Sequence, residues 1–266
     1  KVAALRALKR FRQGQPAEVI EAELADIKST LEFEAAEEGS CGELLSSHRA
    51  LVAGLGLIIL QQLTGQPSVL YYQNQIFQDA GFGSNSAAFA VIVGGAKLIA
   101  TLCTVSLVDK FGRRPLLFAG ISMMFLALCL LIVAFQLASQ DPKDADGVQL
   151  PDGWSPVVVF CLVLYVCGYQ VGFGPIAWLI ISEVFPIKTR TRALSLAVIV
   201  NFGFNLGVTF ALKPLQTSMN NLAPGKGSSY LFMIYAAFCV LSQLFVFKYV
   251  PETKGKSLEE IEEMLR

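Results

Sequence analysis

Two stretches concentrate side chains that can hold a polar ligand away from bulk water. The first reads Gln61-Gln62-Leu63-Thr64-Gly65-Gln66-Pro67-Ser68-Val69-Leu70-Tyr71-Tyr72 and lies inside a charge-free run over 51–76. A primary amide both donates and accepts hydrogen bonds, so three glutamines suit a hydroxyl-rich ligand without fixing a charge. The second reads Gln170-Val171-Gly172-Phe173-Gly174-Pro175-Ile176-Ala177-Trp178. Gln170, Gly174 and Trp178 recur at four-residue steps and share one drifting helical face, where an indole plane stands beside an amide. Lys97, Asn201 and Asn205 are further polar residues in otherwise apolar runs, and the two asparagines are again four apart. No acid, base and nucleophile converge within these runs, so the expected chemistry is binding, not bond-making, and the chain does not read as an enzyme. His48 is the only histidine, and the six cysteines show neither metal nor disulfide spacing, so no metal or cofactor is expected.

The elements that position these residues are set by composition. The chain of 266 residues is 54% hydrophobic and 16% charged, with a mean hydropathy of +0.55, against about 25% charged in a soluble domain. Six runs are long and apolar enough to cross a bilayer: 51–76, 87–108, 115–137, 154–181, 193–212 and 229–247. Lys97 is the only charge in them, and is either a site residue or a lysine snorkelling to the interface. Glutamines in hydrocarbon need partners, and Pro67 removes a backbone donor while its ring disrupts the carbonyl of Leu63. Broken spans are tolerated only where they are buried or line a cavity. The first run is therefore either the wall of a polar intramembrane site or a kinked packing helix whose amides bond its neighbours. Gly172, Gly174 and Pro175 weaken the fourth run in the same way and mark it as a moving element. Trp178 admits a second reading as an interfacial anchor, and Asn205 one as interhelical glue.

Lys and Arg give the orientation. Nearly all fall before residue 50, in 109–114, in 183–192 and after 248, whereas the opposite loops carry Lys143, Lys213 and Lys226. Both ends of the chain are thus expected on the cytoplasmic side, or its equivalent in an organelle. Formal charge balances at 21 Lys+Arg against 21 Asp+Glu, which gives no argument for a nucleic-acid partner. Residues 1–49 read as a cytoplasmic helical linker, with a basic amphipathic piece over 1–12 and an acidic one carrying Ile20, Leu24, Ile27 and Leu31. Residues 50–250 form the transmembrane domain, and 251–266 a tail in which Ser257 and Glu260 make a capping box. The loop Asp109-Lys110-Phe111-Gly112-Arg113-Arg114-Pro115 reads either as a latch between two spans or as a plain positive-inside loop. Glu183 and Arg190 bracket the next cytoplasmic loop. Together Asp109, Arg113, Glu183 and Arg190 are expected to form one charge cluster.

The amide run, Asp109-Lys-Phe-Gly-Arg-Arg114, the Glu183 to Arg190 loop and Pro251-Glu-Thr-Lys-Gly255, in that order, resemble the sugar porters of the major facilitator superfamily over nearly the whole chain. Gly65-Gln66-Pro67-Ser68-Val69-Leu70-Tyr71-Tyr72 and Lys97 resemble the branch of plant xylose-proton symporter-like and plastidic or vacuolar glucose transporters. The resemblance implies an all-α membrane protein whose six transmembrane helices are the second half of a twelve-helix fold, with cytoplasmic surface helices and an absent amino-terminal half. It implies transport of a hexose or pentose by alternating access, facilitative or proton-coupled, in a plasma or organelle membrane. The alternative function is a non-transporting membrane sugar sensor. By position it makes Gln61, Gln62 and Asn201 sugar-binding amides, Trp178 a sugar-stacking ring, and Tyr71 and Tyr72 part of an outer gate. Two positions depart from the family: Gln66-Pro67 stands where many relatives have Ile-Asn, and Lys97 where they commonly have asparagine. Gln66, four residues after Gln62, could supply the lost amide if the helix persists.

Overall fold

The computed structural model describes residues 16, 19–20, 22–26, 29, 41–70, 73, 86–137, 139–140, 148–149, 154–222 and 226–265. Among these the chain runs through α1 (Cys41–Ser46), α2 (His48–Leu63), α3 (Ser86–Phe111), α4 (Arg113–Leu137), α5 (Ser155–Val171), α6 (Phe173–Val184), α7 (Ile187–Leu222), α8 (Gly227–Tyr249) and α9 (Leu258–Leu265). Strands β1 (Ser139–Gln140) and β2 (Val148–Gln149) form a two-residue antiparallel ladder in the loop after α4, and the regular elements among the described residues are otherwise all helices. Six segments have the length and composition to span a membrane: His48–Leu70, Val91–Phe111, Arg113–Leu137, Pro156–Val184, Ile187–Leu222 and Gly227–Tyr249. The basic helix expected over 1–12 lies outside the described residues.

Two boundaries differ from the hydropathy reading. The segment 183–192 is not a loop, because helix continues to Val184 and restarts at Ile187, with only Phe185 and Pro186 between. Pro186 cannot continue α6 but its carbonyl accepts from the amides of Thr189 and Arg190, starting the next helix at once. α7 then runs for 36 residues with Pro214 inside it. At about 1.5 Å per residue it is roughly 54 Å long, well beyond a hydrocarbon core of about 30 Å. Polar Gln216, Thr217, Ser218, Asn220 and Asn221 occupy its last two turns, which carry it past the apolar window that hydropathy detects.

Large side chains from α2, α4, α5, α6 and the short link after α6 fill the centre. Leu57, Ile58, Leu117, Ile121, Met124, Leu128, Leu131, Phe135, Tyr165, Phe173 and Phe185 are all fully buried there. The apolar window of α2 is 61% buried, against 17% for α3 and 11% for α7, so the last two flank the core as lateral helices. α4 and α5 approach most closely at small residues. A methyl group added to Gly120 would lie 2.3 Å from the amide nitrogen of Gly172 and 2.4 Å from the carbonyl oxygen of Gly168. Small residues allow this backbone contact, the main way helices pack where lipid supplies no hydrophobic driving force.

Gly120→Ala must push α4 and α5 apart, and the expected cost is about 1–3 kcal/mol of overpacking. Thermal unfolding of the purified protein checks this: the variant should melt lower, whereas Gly94→Ala, with no atom within 4 Å of the new methyl, should not.

Candidate functional site

The polar residues singled out by their spacing are gathered around the break in α2. Helix ends at Leu63, turns through Thr64 and Gly65, and resumes at 66–70. Gly65 adopts a φ of +96°, and a β-carbon there would lie 2.4 Å from the ring of Tyr235, so both conformation and contact require glycine. The carbonyl of Thr64, exposed by the turn, accepts from the hydroxyl of Tyr165 at 3.1 Å. The hydroxyl of Thr64 is returned to the carbonyl of Gln61 at 2.9 Å, and Ser68 pairs with the hydroxyl of Tyr235 at 2.5 Å. The break is thus closed by side chains of α5 and α8, which keeps its backbone away from hydrocarbon.

Gln61 and Gln62 are each 3% exposed and diverge. The amide nitrogen of Gln61 donates to the hydroxyl of Tyr169 on α5, and its buried Oε1 has no partner among the described residues. Gln62 Nε2 donates to Asn201 Oδ1 on α7 at 2.5 Å, while Asn205 Nδ2 donates to Gln62 Oε1 at 3.3 Å. Gln66 makes no side-chain hydrogen bond to a described residue. The turn at Thr64 and Gly65 separates it from Gln62, which removes the shared face that an unbroken helix would have given the pair. Tyr71 and Tyr72 lie outside the described residues.

The second break lies at Gly172, between α5 and α6. Its backbone departs from helical geometry at φ −91° and ψ −88° although its amide still reaches the carbonyl of Gly168 at 2.9 Å. Gln170 and Gly174 stay adjacent across it: a β-carbon on Gly174 would meet Gln170 Oε1 at 3.1 Å. Gln170 Nε2 donates to Thr101 Oγ1 on α3 at 2.5 Å, and Thr101 in turn donates to the carbonyl of Lys97 at 2.8 Å. Lys97 therefore belongs to the stripe of α3 that includes buried Val93, Ala100 and Thr104 and faces α5, with Leu98, Ile99 and Leu102 turned outward. Pro175 opens the first turn of α6, and Trp178, half-buried, packs on the core one turn later.

Charges meet at the end of the bundle that the distribution of Lys and Arg places on the cytoplasmic side. Arg113 holds Glu183 through two nitrogens, Nη2 to Oε1 at 2.7 Å and Nε at 3.2 and 3.3 Å to the two carboxylate oxygens. Its Nη1 reaches Asp109 at 3.4 Å. Arg190 does not join them: its Nε turns to the carbonyl of Phe185 at 3.4 Å, because the helix restart at Ile187 carries it onto α7. The fourth member is instead the segment after α8. Thr253 Oγ1 donates to Glu183 at 2.6 Å, and the Glu252 carboxylate accepts from the backbone amides of Arg113 and Arg114, both at 3.0 Å. An anion at the first two free amides of α4 meets the positive end of the helix dipole. Gly112, with φ +93°, makes the turn that presents those amides, and a β-carbon there would strike the same carboxylate at 2.9 Å. Arg114 Nη2 donates to the carbonyl of Phe247 at 2.5 Å. The sequence had flagged neither Glu252 nor the tyrosines at 165, 169 and 235. The Pro251-to-Gly255 motif and the hydroxyls inside apolar runs were the available signals.

A bundle of six membrane-length helices, two of them interrupted, with an amide seam between α2 and α7 and a charge cluster at one end, is the architecture of an integral membrane protein. Residues 1–265 match the family described as Sugar (and other) transporter, and the chain belongs to that family. It is 41% identical over 271 residues to D-xylose-proton symporter-like 3, chloroplastic, of Arabidopsis thaliana, covering 97% of this chain and 44% of that one. It is 45% identical over 230 residues to D-xylose-proton symporter-like 2 of the same plant, covering 85% and 42%. Among solved structures it superposes on the proton:xylose symporter XylE from E. coli, bound to 6-bromo-6-deoxy-D-glucose, with a TM-score of 0.71 at 28% identity, over 98% of this chain and 51% of that one. The chain spans about half the length of the relatives it matches.

Lys97 on the inward stripe of α3 should be wetted from the aqueous side, since an isolated ammonium in lipid costs several kcal/mol. A cysteine at position 97 of the intact transporter, in a background free of other reactive thiols, should react with a membrane-impermeant reagent. Protection from both sides of the membrane would place the residue against lipid or sealed protein.

Proposed function

We propose that this chain forms the carboxy-terminal six-helix half of a transporter that carries a monosaccharide, hexose or pentose, across a membrane by alternating access. The observation that carries the reading is the seam of amides at the α2 break. Gln61, Gln62 and Asn201 are polar, buried or half-buried, and within the span, and Gln61 Oε1 is an acceptor with no protein partner among the described residues. A sugar hydroxyl is a fitting donor to it, and water would serve when the sugar is absent. In this reading Gln170 and Lys97 complete the polar wall and Trp178 stacks on the apolar face of the sugar ring. Tyr71 and Tyr72 close the outer side. The breaks at Gly65 and Gly172, with Gly174 and Pro175, are the points where α2, α5 and α6 bend.

The amino-terminal half would cover the exposed faces of α3 and α7, where Leu98, Leu102, Ile199, Phe202 and Phe210 are more than half exposed. The latch of Asp109, Arg113, Arg114, Glu183 and Glu252 holds the cytoplasmic ends of α3, α4, α6 and α8 together in one state and opens in the other. The names of the plant relatives support a pentose substrate, proton coupling, and, for the chloroplastic one, an organelle membrane, and the glucose derivative bound to the bacterial symporter supports a hexose as well. The partners of the reading are the sugar, the bilayer, the other half and, in the coupled case, protons.

The complete transporter reconstituted in vesicles should accumulate labelled D-xylose or D-glucose, and collapse of an imposed pH gradient should abolish accumulation in the coupled case and leave equilibration intact in the facilitative one. Binding without any movement of sugar would favour a sensor. Gln62→Ala should weaken equilibrium sugar binding by about 1–3 kcal/mol, the range for a hydroxyl left without its partner. Glu183→Gln should spare binding and lower turnover, because it removes the charge facing Arg113 but touches no amide of the seam. Unchanged turnover with lost binding would overturn the latch.

A further inference from the structure

A cleft of about 590 Å³ opens at the cytoplasmic edge between the start of α2, the end of α8 and the tail helix α9. Its polar wall is cationic through Arg49, Arg114 and Lys248, with His48 beside them, and no acidic side chain lines it among the described residues. Its other wall is apolar, with Val52, Phe247 and Tyr249 at 43%, 70% and 44% exposure, and Met264 and Leu265 from α9 close the bottom. The guanidinium of Arg114 is fixed there between the rings of Phe118 and Phe247, 5.9 and 5.4 Å from their centroids. Its Nη2 is taken by the carbonyl of Phe247, yet its buried Nε has no partner among the described residues. That nitrogen is covered by protein, so an occupant of the cleft meets the charge of the guanidinium and not this donor.

The position of the cleft narrows what can occupy it. α2 enters the apolar region at His48 and α8 leaves it at Tyr249, so the cleft stands at headgroup depth, with its aromatic wall running toward hydrocarbon and its basic wall toward the cytoplasmic solution. An occupant must bring an anionic, oxygen-rich group to Arg49, Arg114 and Lys248 and an acyl surface to Val52 and Phe247. We infer that this cleft is a binding site for the phosphate-bearing headgroup of an anionic phospholipid of the cytoplasmic leaflet. Fixed guanidinium groups suit phosphate oxygens better than flexible ammonium groups do, and basic pockets between spans on this side of a membrane attract such headgroups. The site lies apart from the amide seam and does not rest on the transport reading.

Native mass spectrometry of the intact transporter tests this, using detergent micelles supplied with equal phosphatidylserine and phosphatidylcholine. The unmodified protein should retain phosphatidylserine in clear excess. Arg49→Gln with Lys248→Gln should lower that retention about tenfold or more, given the contribution of each cation at a membrane surface. Arg49→Lys with Lys248→Arg should preserve it. Equal retention of the two lipids by the unmodified protein would overturn the proposal without reference to any variant. Unaltered retention in the double glutamine variant of wild-type thermal stability would overturn it as well. Millimolar inorganic phosphate that displaces the lipid, while binding equally well without it, would instead make the cleft a site for soluble anions.

Discussion

A backbone that leaves helical geometry inside a membrane must find its hydrogen bonds within the protein, and the packing around α2 follows from that requirement. Thr64 and Gly65 interrupt the helix in mid-span, and Pro67 removes a donor from the turn that follows. The consequences reach three other helices. Tyr165 of α5 takes the carbonyl of Thr64, Tyr235 of α8 packs on Gly65 and bonds Ser68, and the amides of Gln62 and Asn201 join α2 to α7. A continuous apolar helix would need none of these contacts. It would also leave no polar surface inside the bundle, so the cost of the break and the capacity to hold a polar ligand have one origin.

The second interruption is managed differently. Gly172 keeps its own amide bonded to Gly168, and the deviation is absorbed by the close contact of α5 with Gly120 on α4. Where α2 is clamped by hydroxyls, α5 rests on bare backbone. A hydrogen-bonded clamp is directional and costly to leave unmade, whereas a glycine-on-glycine contact resists compression but allows sliding. The two breaks are therefore held in different ways, the first by side-chain hydrogen bonds and the second by backbone packing.

Much of this was legible in the residues. Pro, Gly and amide content placed both breaks, because those residue types carry their backbone consequences with them wherever they stand. Apolar run lengths placed six spans, and the capping box of α9 is present, with the Ser257 amide on Glu260 at 2.9 Å and the Glu260 amide on Ser257 at 3.3 Å. What was not legible depends on which helices become neighbours. Glu252 lies 139 residues from Arg113, and only the packing of α8 beside α4 brings its carboxylate to the first amides of α4. Tyr165 and Tyr169 look like ordinary apolar filling until α2 is laid against α5. Arg190 was misplaced for the converse reason: a charged residue near a span end invites pairing with the nearest acid, but α7 begins before it and turns it elsewhere. Gln66 lost its expected alignment because local spacing assumes the continuous helix that Gly65 denies.

α6 joins the second break to the charge cluster. It is only 12 residues long, Phe173–Val184, with the Gly172 joint at one end and Glu183 in the latch at the other. From Gly172 to Glu183 the rise is roughly 16 Å at 1.5 Å per residue, and Trp178 stands near the midpoint. Ile176, Ala177, Ile180 and Ile181 are fully buried, so the helix is held along its length by packing and moves as one piece. A short buried helix with a break at one end and an ion pair at the other couples the two. In the proposed reading, release of Glu183 by Arg113 and Thr253 swings Trp178 relative to the clamped amides of α2, and a sugar held between them resists or favours that swing according to the state it fits.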